Sequence, residues 1–238
     1  MLRVGTSGWQ YRDWKGVLYP DDLPISRWLE HYAKAFDTLE VNSTFYRLPR
    51  RETFADWASR TPRDFAFVLK ASRYLTHIRR LRDPRVPVRR LLDAADPLGD
   101  RLAAVLLQLP PTMPIELERL DETLDAFPRG LRVAVEPRHA SWRTTELFDH
   151  LAKRDVALVL ADRRGPRPPL ERTASWCYVR MHEGVASPKP CYGDRALRSW
   201  SKRIHGLWGR RADGFVFFNN DPGGCAVENA RRFGELAT

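Results

Sequence analysis

The sequence predicts a single α/β domain, a (β/α)8 barrel with a polar pocket where its strands end. The chain has 238 residues, close to the roughly 250 residues typical of such barrels. Short apolar runs alternate with segments of helical periodicity, as they do where crossover helices join parallel strands. Nearly every apolar run also ends on a polar or charged residue. Together these observations favour a TIM-barrel-like fold.

Eight short apolar runs are the predicted strands. Each has four or five residues, a length that suits strands better than helices. In chain order they are Leu2–Gly5, Thr38–Val41, Phe65–Leu69, Ala103–Leu107, Leu131–Val135, Val156–Leu160, Trp176–Val179 and Phe215–Phe218. Eight strands are enough to close a barrel.

The segments between these runs have helical spacing. The first predicted helix has Ser26 as a plausible cap, and Trp28, Leu29 and Tyr32 recur on one of its faces. The second ends near Pro62, because the residue before a proline disfavours helical geometry. The predicted helices are Ile25–Ala35, Glu52–Ser59, Val88–Ala95, Ile115–Ala126, Thr144–Lys153, Asp194–Arg210 and Ala226–Leu236.

One βα unit is expected to be degenerate and poor in helix. The sixth predicted strand is followed by RRGPRPPLERTAS, where Pro166, Pro168 and Pro169 leave no room for a full helix. These prolines lie between strands, and neither an internal repeat nor a linker is visible. Residues 1–238 are therefore expected to form one domain.

Composition argues against several classes of protein. No apolar run approaches the ~20 residues that span a bilayer, and the opening MLRVGTSGW lacks the pattern of a signal peptide. We therefore expect a cytoplasmic protein with no membrane partner. The cysteines Cys177, Cys191 and Cys225 are widely spaced and form no C-x-x-C pair. They are expected to be free thiols rather than a disulfide framework or a zinc site.

The net charge of +10 would suit nucleic acid or another anionic partner. However, only six of the forty basic residues are lysines, and the arginines are spread along the whole chain. The densest basic stretch runs from Arg73 to Arg90, and we expect it to be a solvated face. A nucleic-acid partner is therefore possible but not favoured.

Polar residues recur at the ends of the predicted strands. The carboxyl ends of parallel strands meet at one face of a barrel, where barrel enzymes place their catalytic groups. These side chains should therefore line a single pocket. In chain order they are Glu40, Asn42, Lys70, Gln108, Glu136, Asp162, Arg180, His182, Asn219 and Asn220.

Alternation along the strands indicates which side chains share a face. Glu40 and Asn42 alternate with apolar residues, as do Arg180 and His182, so each pair should point towards the barrel axis. Tyr46 follows on a loop that could reach a ligand. The segment Ser7–Pro20, rich in aromatic residues, is expected to be a lid or wall of the pocket.

The stretch VEPRHASW combines a carboxylate, a guanidinium, an imidazole and an aromatic ring. Glu136 is expected to point inwards, with Arg138, His139 and Trp142 on the loop that follows. Such a group suits acid–base chemistry on a polar substrate. Alternatively, Arg138 only pairs with a carboxylate and Trp142 packs on a helix.

These stretches together resemble the YecE-like family, also known as domain of unknown function 72. The resemblance runs from Val4 to about Ala230 and is carried by VGTSGWQYRDWKG, EVNSTFYRLP, TPRDFAFVLK, LLQLPP, AVEPRHASW, YVRMH and FFNN. It implies a TIM-barrel-like fold and no established reaction. One departure is visible, since the family pattern R-x-H-G reads RMHEG here, with Glu183 before Gly184.

The resemblance also implies a set of site residues. The positions that match the family motifs are Glu40, Asn42, Tyr46, Lys70, His77, Gln108, Glu136, Arg138, His139, Trp142, Arg180, His182 and Asn219.

Three functions remain open. The first is a metal-free enzyme of hydrolase or isomerase/lyase type, acting on a small polar substrate that is anionic or sugar-like. Its catalytic residues would be Glu40, Lys70, Glu136 and His182. Arg138 and Arg180 would hold the anionic group. Glu40 and Glu136 are expected far apart around the barrel, which argues against the ~5 Å carboxylate spacing of retaining glycosidases.

The second function is a divalent-metal-dependent hydrolase or isomerase. Oxygen and imidazole ligands would come from Glu40, Glu136, His139, Asp162 and His182.

The third function is a nucleic-acid-binding module without catalysis, which would stack bases on exposed aromatic residues. Those residues would be Trp9, Tyr11, Trp14 and Tyr46. No phosphate-binding glycine loop, nucleophile elbow or H-E-x-x-H sequence occurs, so the motifs imply no cofactor.

Overall fold

The computed structural model describes residues 1–163, 169–184 and 189–237, and it contains the predicted barrel. All strand pairs are parallel. The strands are β1 (Leu2–Ser7), β2 (Thr38–Val41), β3 (Ala66–Lys70), β4 (Leu102–Gln108), β5 (Arg132–Glu136), β6 (Ala157–Leu158), β7 (Leu160–Asp162), β8 (Cys177–Met181) and β9 (Gly214–Phe218).

The strands follow the order β6-β5-β4-β3-β2-β1-β9-β8-β7 around the barrel. Strands β6 and β7 together occupy the place of the sixth predicted strand, which breaks at Val159. The amide of Val159 donates to the carbonyl of Val135 at 2.9 Å. Because β6 pairs with β5 and β7 pairs with β8, the barrel is nearly closed. The prediction of one continuous strand here was wrong.

Helices lie between the strands. They are α1 (Trp28–Ala35), α2 (Ser43–Tyr46), α3 (Arg51–Ser59), α4 (Arg85–Ala95), α5 (Leu117–Asp125), α6 (Thr145–Lys153), α7 (Asp194–Trp208) and α8 (Cys225–Ala237). Seven of them correspond to predicted helices, whereas α2 and a π-helical turn at Tyr74–Ile78 were not predicted. Ser26 is not a cap, because a 3-10 turn at Ile25–Arg27 leads into α1.

The barrel interior is filled by small side chains on one side and by large aromatic rings on the other. Strands β3 to β7 contribute mainly alanine, valine and leucine, while Trp176, Tyr178, Phe215 and Phe217 fill the space opposite. Two residues further along each strand the interior positions become polar, since side chains alternate in direction. These polar interior positions form a layer, called the polar layer below, that directly continues the apolar core.

The unit expected to be degenerate follows β7. Arg163 and residues 169–176 lie in no helix or strand, whereas 164–168 lie outside the described residues. Pro169 belongs to the described part, and the other two prolines do not.

Two cysteines differ from expectation. All three were expected to be free thiols, but Cys191 and Cys225 form a disulfide, and Cys177 alone is a free, buried thiol. The linear spacing of 34 residues gave no sign of this pair. The fold brings the segment before α7 against the start of α8. Within the described ranges, no helix combines the length and apolar character that crossing a membrane requires.

Candidate active site

Arg180 lies at the centre of the polar layer. It follows Tyr178 by two residues on β8, so both side chains point into the barrel. Its Nη2 donates to Glu40 Oε1 at 2.7 Å and its Nη1 donates to Glu136 Oε2 at 2.7 Å. Burial acts to lower the pKa of Arg180, but the two carboxylates outweigh this effect and raise it. The guanidinium therefore stays charged.

Glu40 is fully buried and all its hydrogen-bonding partners are donors. Ser7 Oγ donates to Oε1 at 2.7 Å, and Tyr178 Oη donates to Oε2 at 2.6 Å. Burial acts to raise the pKa of Glu40, but Arg180 and these hydroxyls outweigh it and hold the pKa below its ordinary value. Glu40 is thus a fixed anion rather than a proton carrier.

Glu136 is held in the same way from the opposite side of the barrel. Gln108 Nε2 donates to Oε2 at 2.8 Å, and Arg138 forms an ion pair with Oε1. Burial acts to raise the pKa of Glu136, whereas Arg180, His182 and Arg138 bring it well below its ordinary value.

Glu40 and Glu136, which were expected to lie far apart around the barrel, meet at the same arginine. Their strands are not neighbours, but the barrel is narrow enough for side chains from distant strands to meet. Both carboxylates contact the single guanidinium of Arg180. Arg180 therefore holds one oxygen of each carboxylate.

Lys70 ends β3 beside this network and is only 8% exposed. Its Nζ lies 4.1 Å from the ring centroid of Phe45 and, among the described residues, makes no hydrogen bond or ion pair. Burial lowers the pKa of Lys70 to about 8; Arg180 adds to this effect, while Glu40 and Glu136 oppose it. Near neutral pH a fraction of this amine is therefore uncharged.

His182 follows β8 and closes the other side of the layer. Asn219 Nδ2 lies 3.0 Å from its Nδ1, and its Nε2 lies 3.8 Å from Glu136 Oε1. An amide nitrogen can only donate, so Nδ1 accepts this hydrogen bond, and Arg138 Nη2 lies 3.4 Å from Nε2. Burial lowers the pKa of His182; the nearby Glu136 opposes this effect and Arg180 adds to it. The imidazole is neutral at pH 7.

Asp221 is a site residue that the sequence analysis missed. Its Oδ1 is buried without a hydrogen-bond partner among the described residues. Burial raises the pKa of Asp221 to about 7, although the neighbouring Tyr11 hydroxyl acts in the opposite direction. The signal was present in the sequence, since Asp221 directly follows the pair Asn219-Asn220 at the end of β9.

Comparison with known proteins identifies the family. The profile described as "Protein of unknown function DUF72" matches residues 3–238. The chain belongs to the DUF72 family. Its sequence is 34% identical to UPF0759 protein YecE of Escherichia coli K12 over 140 residues, 58% of this chain and 49% of YecE. The chain thus matches about half the length of that relative.

Two further DUF72 relatives cover nearly the whole chain. UPF0759 protein YunF of Bacillus subtilis is 25% identical over 99% of this chain and 94% of its own length. A crystal structure of a DUF72 family protein from Thermotoga maritima has a TM-score of 0.87 and 29% identity, covering 99% of this chain and 98% of that one. The predicted family and TM-barrel-like fold are therefore confirmed.

Several predicted site residues of this DUF72 chain lie behind the polar layer. Trp142 is fully buried and its Nε1 donates to the Met113 carbonyl at 2.8 Å. His139 Nδ1 accepts from the Ser141 amide at 3.2 Å and so caps a short turn. Asp162 Oδ2 accepts from Trp200 Nε1 at 3.0 Å. These contacts support the structure around the mouth of the barrel, which is the end where the polar layer lies.

Other predicted residues lie at the edge of the mouth. Asn42 has a buried Oδ1 without a hydrogen-bond partner among the described residues, so it does not cap α2. His77 packs edge-on against Phe45, with their ring centroids 4.9 Å apart. Burial and the nearby Lys70 lower the pKa of His77. Tyr46 is 78% exposed and lies outside the polar layer.

The proposed metal ligands do not come together as a set. Among the described residues, no group of three or more His, Cys, Asp or Glu side chains is placed to hold a metal ion. Glu40 and Glu136 direct their oxygens at Arg180, and His139 and Asp162 have the partners given above.

The segment Ser7–Pro20 forms part of the aromatic wall beside the mouth. Trp9 and Trp14 were expected to be exposed, but both are buried. Trp14 contacts Tyr11 and Tyr19, with ring centroids 4.8 and 6.2 Å away. Packing against other aromatic rings removes both tryptophans from any surface that could stack on bases.

Although Glu183 is inserted before it, Gly184 packs closely against the backbone of Cys191. The Glu183 amide donates to Tyr192 Oη at 3.0 Å, and the Gly184 amide donates to the Pro190 carbonyl at 2.9 Å. A Cβ at Gly184 would lie 1.9 Å from the Cys191 carbonyl oxygen. Only glycine fits at this position, which joins the loop after His182 to the disulfide.

Proposed function

We propose that the barrel mouth is an active site for acid–base chemistry on a small polar substrate that carries an anionic or sugar-like group. The reaction would be of hydrolase or isomerase/lyase type. The observation that carries the proposal is Lys70, a buried amine with a lowered pKa and, among the described residues, no ion pair. It lies beside two carboxylates that both pair with Arg180. Groups perturbed in this way are typical of active sites.

The site residues fall into two groups, those that stay ionised and those that can exchange protons. Glu40 and Glu136 hold Arg180 and remain ionised, so they fix the electrostatic field of the site. Lys70 and Asp221, with pKa values of about 8 and about 7, can exchange protons near neutral pH. Burial lowers the pKa of His182, so its imidazole is neutral there and can accept a proton. We therefore assign proton transfer to the amine, the aspartate and the imidazole rather than to the two glutamates.

Binding of an anionic group would use Arg138 and Lys70, the two further cations beside the network. Arg138 pairs with Glu136 through one terminal nitrogen, while its buried Nε has no hydrogen-bond partner among the described residues. Lys70 supplies a second cation. A carboxylate or phosphate placed between them would receive charge-assisted hydrogen bonds.

Ligand-induced stabilisation tests this proposal. Melting curves would be recorded with sugar phosphates, sugar acids and small carboxylates. A ligand that binds the folded state raises the melting temperature, and the rise grows with the logarithm of its concentration above Kd. We expect a shift for at least one anionic compound, abolished in Lys70→Met and kept in Lys153→Met, which removes an exposed lysine of α6. Equal shifts in both variants would contradict the proposal.

A further inference from the structure

The net positive charge of the chain is concentrated in one segment. Residues 43–92 contain 13 lysines and arginines but only 4 aspartates and glutamates, a net charge of +9. The other 188 residues contain 27 basic and 26 acidic residues and are nearly neutral. Basic residues are therefore denser in this segment than in the rest of the chain, and acidic residues are scarcer.

This segment forms a groove of about 540 Å³ between α2, the π-helical turn Tyr74–Ile78 and α4. Two of its lining residues are exposed aromatic side chains, Tyr46 at 78% and Tyr74 at 50%. Val86, also strongly exposed, lines the same groove. Exposed apolar surface gathered in a concave site indicates a binding surface rather than scattered exposure.

Exposed arginines lie in this groove or next to its aromatic residues in the sequence. Arg90 lines the groove itself, while Arg47 directly follows Tyr46 and Arg73 directly precedes Tyr74. None of the three has an ion pair among the described residues. Arg79, by contrast, is paired with Asp83 at the rim. The groove therefore offers the guanidinium of Arg90, and two further arginines without an ion pair among the described residues adjoin its aromatic residues along the chain.

We propose that this groove binds single-stranded nucleic acid. Tyr46 and Tyr74 would stack on bases, and Arg47, Arg73 and Arg90 would contact phosphates. Aromatic platforms beside a basic groove are the usual means of binding single strands. A duplex keeps its bases paired and unavailable for stacking. A membrane surface would be contacted better by a protruding apolar face than by a groove.

The groove adjoins the candidate active site but differs from it. Phe45 belongs to both, because it lines the groove and its ring lies under Lys70. The phosphate-contacting residues proposed here make no contact with the network around Arg180. Oligonucleotide binding can therefore fail without affecting the proposed acid–base function, and the converse also holds.

Fluorescence anisotropy tests the binding directly. The probe is a fluorescein-labelled oligothymidylate of roughly 15 nucleotides, a length within the reach of one binding site. Salt would be varied from about 50 to 200 mM. We expect saturable binding whose logarithmic salt dependence has a slope of about −2, as for three phosphate contacts on a single strand.

Variants separate stacking from charge. Tyr46→Ala/Tyr74→Ala should weaken binding by at least about 10-fold, whereas Tyr46→Phe/Tyr74→Phe should retain it, because phenylalanine keeps the stacking ring. Arg47→Gln/Arg90→Gln should make the salt slope shallower by about 1.4. The matched control is Arg195→Gln/Arg198→Gln, which makes the same change of net charge at exposed positions of α7 and should leave affinity nearly unchanged.

Three results would overturn the proposal. The first is the absence of saturable binding at about 50 mM salt. The second is an equal loss of affinity in the control pair on α7, which would indicate attraction by net charge alone. The third is binding to phosphatidylserine vesicles without binding to the oligothymidylate, which would make the groove a membrane contact.

Discussion

Glu40 and Arg180 are 140 residues apart in the sequence, yet they form a 2.7 Å ion pair inside the barrel. The second terminal nitrogen of Arg180 holds Glu136 at the same distance. Removing one member of a buried ion network leaves the other charges without compensation, which costs more than removing the whole network. The stability of the mouth therefore depends on the three residues together.

Arg180→Met should destabilise the protein by about 3–5 kcal/mol, because Glu40 and Glu136 would remain buried with fewer partners. The triple variant Glu40→Gln/Glu136→Gln/Arg180→Met should recover part of this loss, since no buried charge is left uncompensated within the trio. Urea unfolding of both variants measures the difference. A triple variant less stable than Arg180→Met would contradict this account.

Lys70→Met should make the protein more stable at pH 7 by about 1–3 kcal/mol, because it removes a buried cation that has no ion pair among the described residues. The pKa of Lys70 is lowered from 10.5 to about 8. The unfolded chain therefore binds more protons between these values, and wild-type stability should rise across this window. Melting curves at pH 7 and 10 should show the advantage of Lys70→Met shrinking. If Lys70→Met were more stable than the wild type by the same amount at both pH values, the ionisation of Lys70 would not be the cause.

Asp221→Asn should behave in the opposite way with pH. The pKa of Asp221 is raised from 3.8 to about 7, so the folded state binds more protons than the unfolded state between these values. Its ionisation therefore makes wild-type stability fall as pH rises through this window. We expect Asp221→Asn to be more stable than the wild type by about 1–3 kcal/mol at pH 8, with little difference at pH 4. Asp22→Asn, at an exposed position, should show no such trend.

Reducing the disulfide between Cys191 and Cys225 should lower the free energy of unfolding by about 3–4 kcal/mol, from the entropy of closing a loop of 34 residues. Melting curves with and without a reductant measure this change. Cys191→Ser/Cys225→Ser should match the reduced protein and lose its response to reductant, while Cys177→Ser should keep that response. Equal melting temperatures with and without reductant would show that the bond contributes nothing.

The sequence was sufficient for the barrel and for most of its polar layer. Strand periodicity predicts that Glu40 and Arg180 point to the axis, and both do. The direction of side chains alternates along a strand because of local backbone geometry, so a single sequence is enough to infer it. The same reasoning could have included Tyr178, which shares the interior face of β8 with Arg180.

What the sequence could not supply was the pairing between distant elements. Whether Arg180 binds a ligand or two carboxylates depends on the width of the barrel, which no local pattern encodes. The bond between Cys191 and Cys225 likewise depends on where α8 packs. The burial of Trp14 depends on aromatic neighbours that come from several segments.

Lys70 provides the proposed active site with an amine that is expected to lose its proton near neutral pH. The direct test of this expectation is the pH dependence of Lys70 acylation by a small amine-reactive reagent, quantified by mass spectrometry of the digested protein, because only the neutral amine reacts. We expect the acylation of Lys70 to titrate with a midpoint of about pH 8. A midpoint close to the 10.5 of an unperturbed lysine would contradict it.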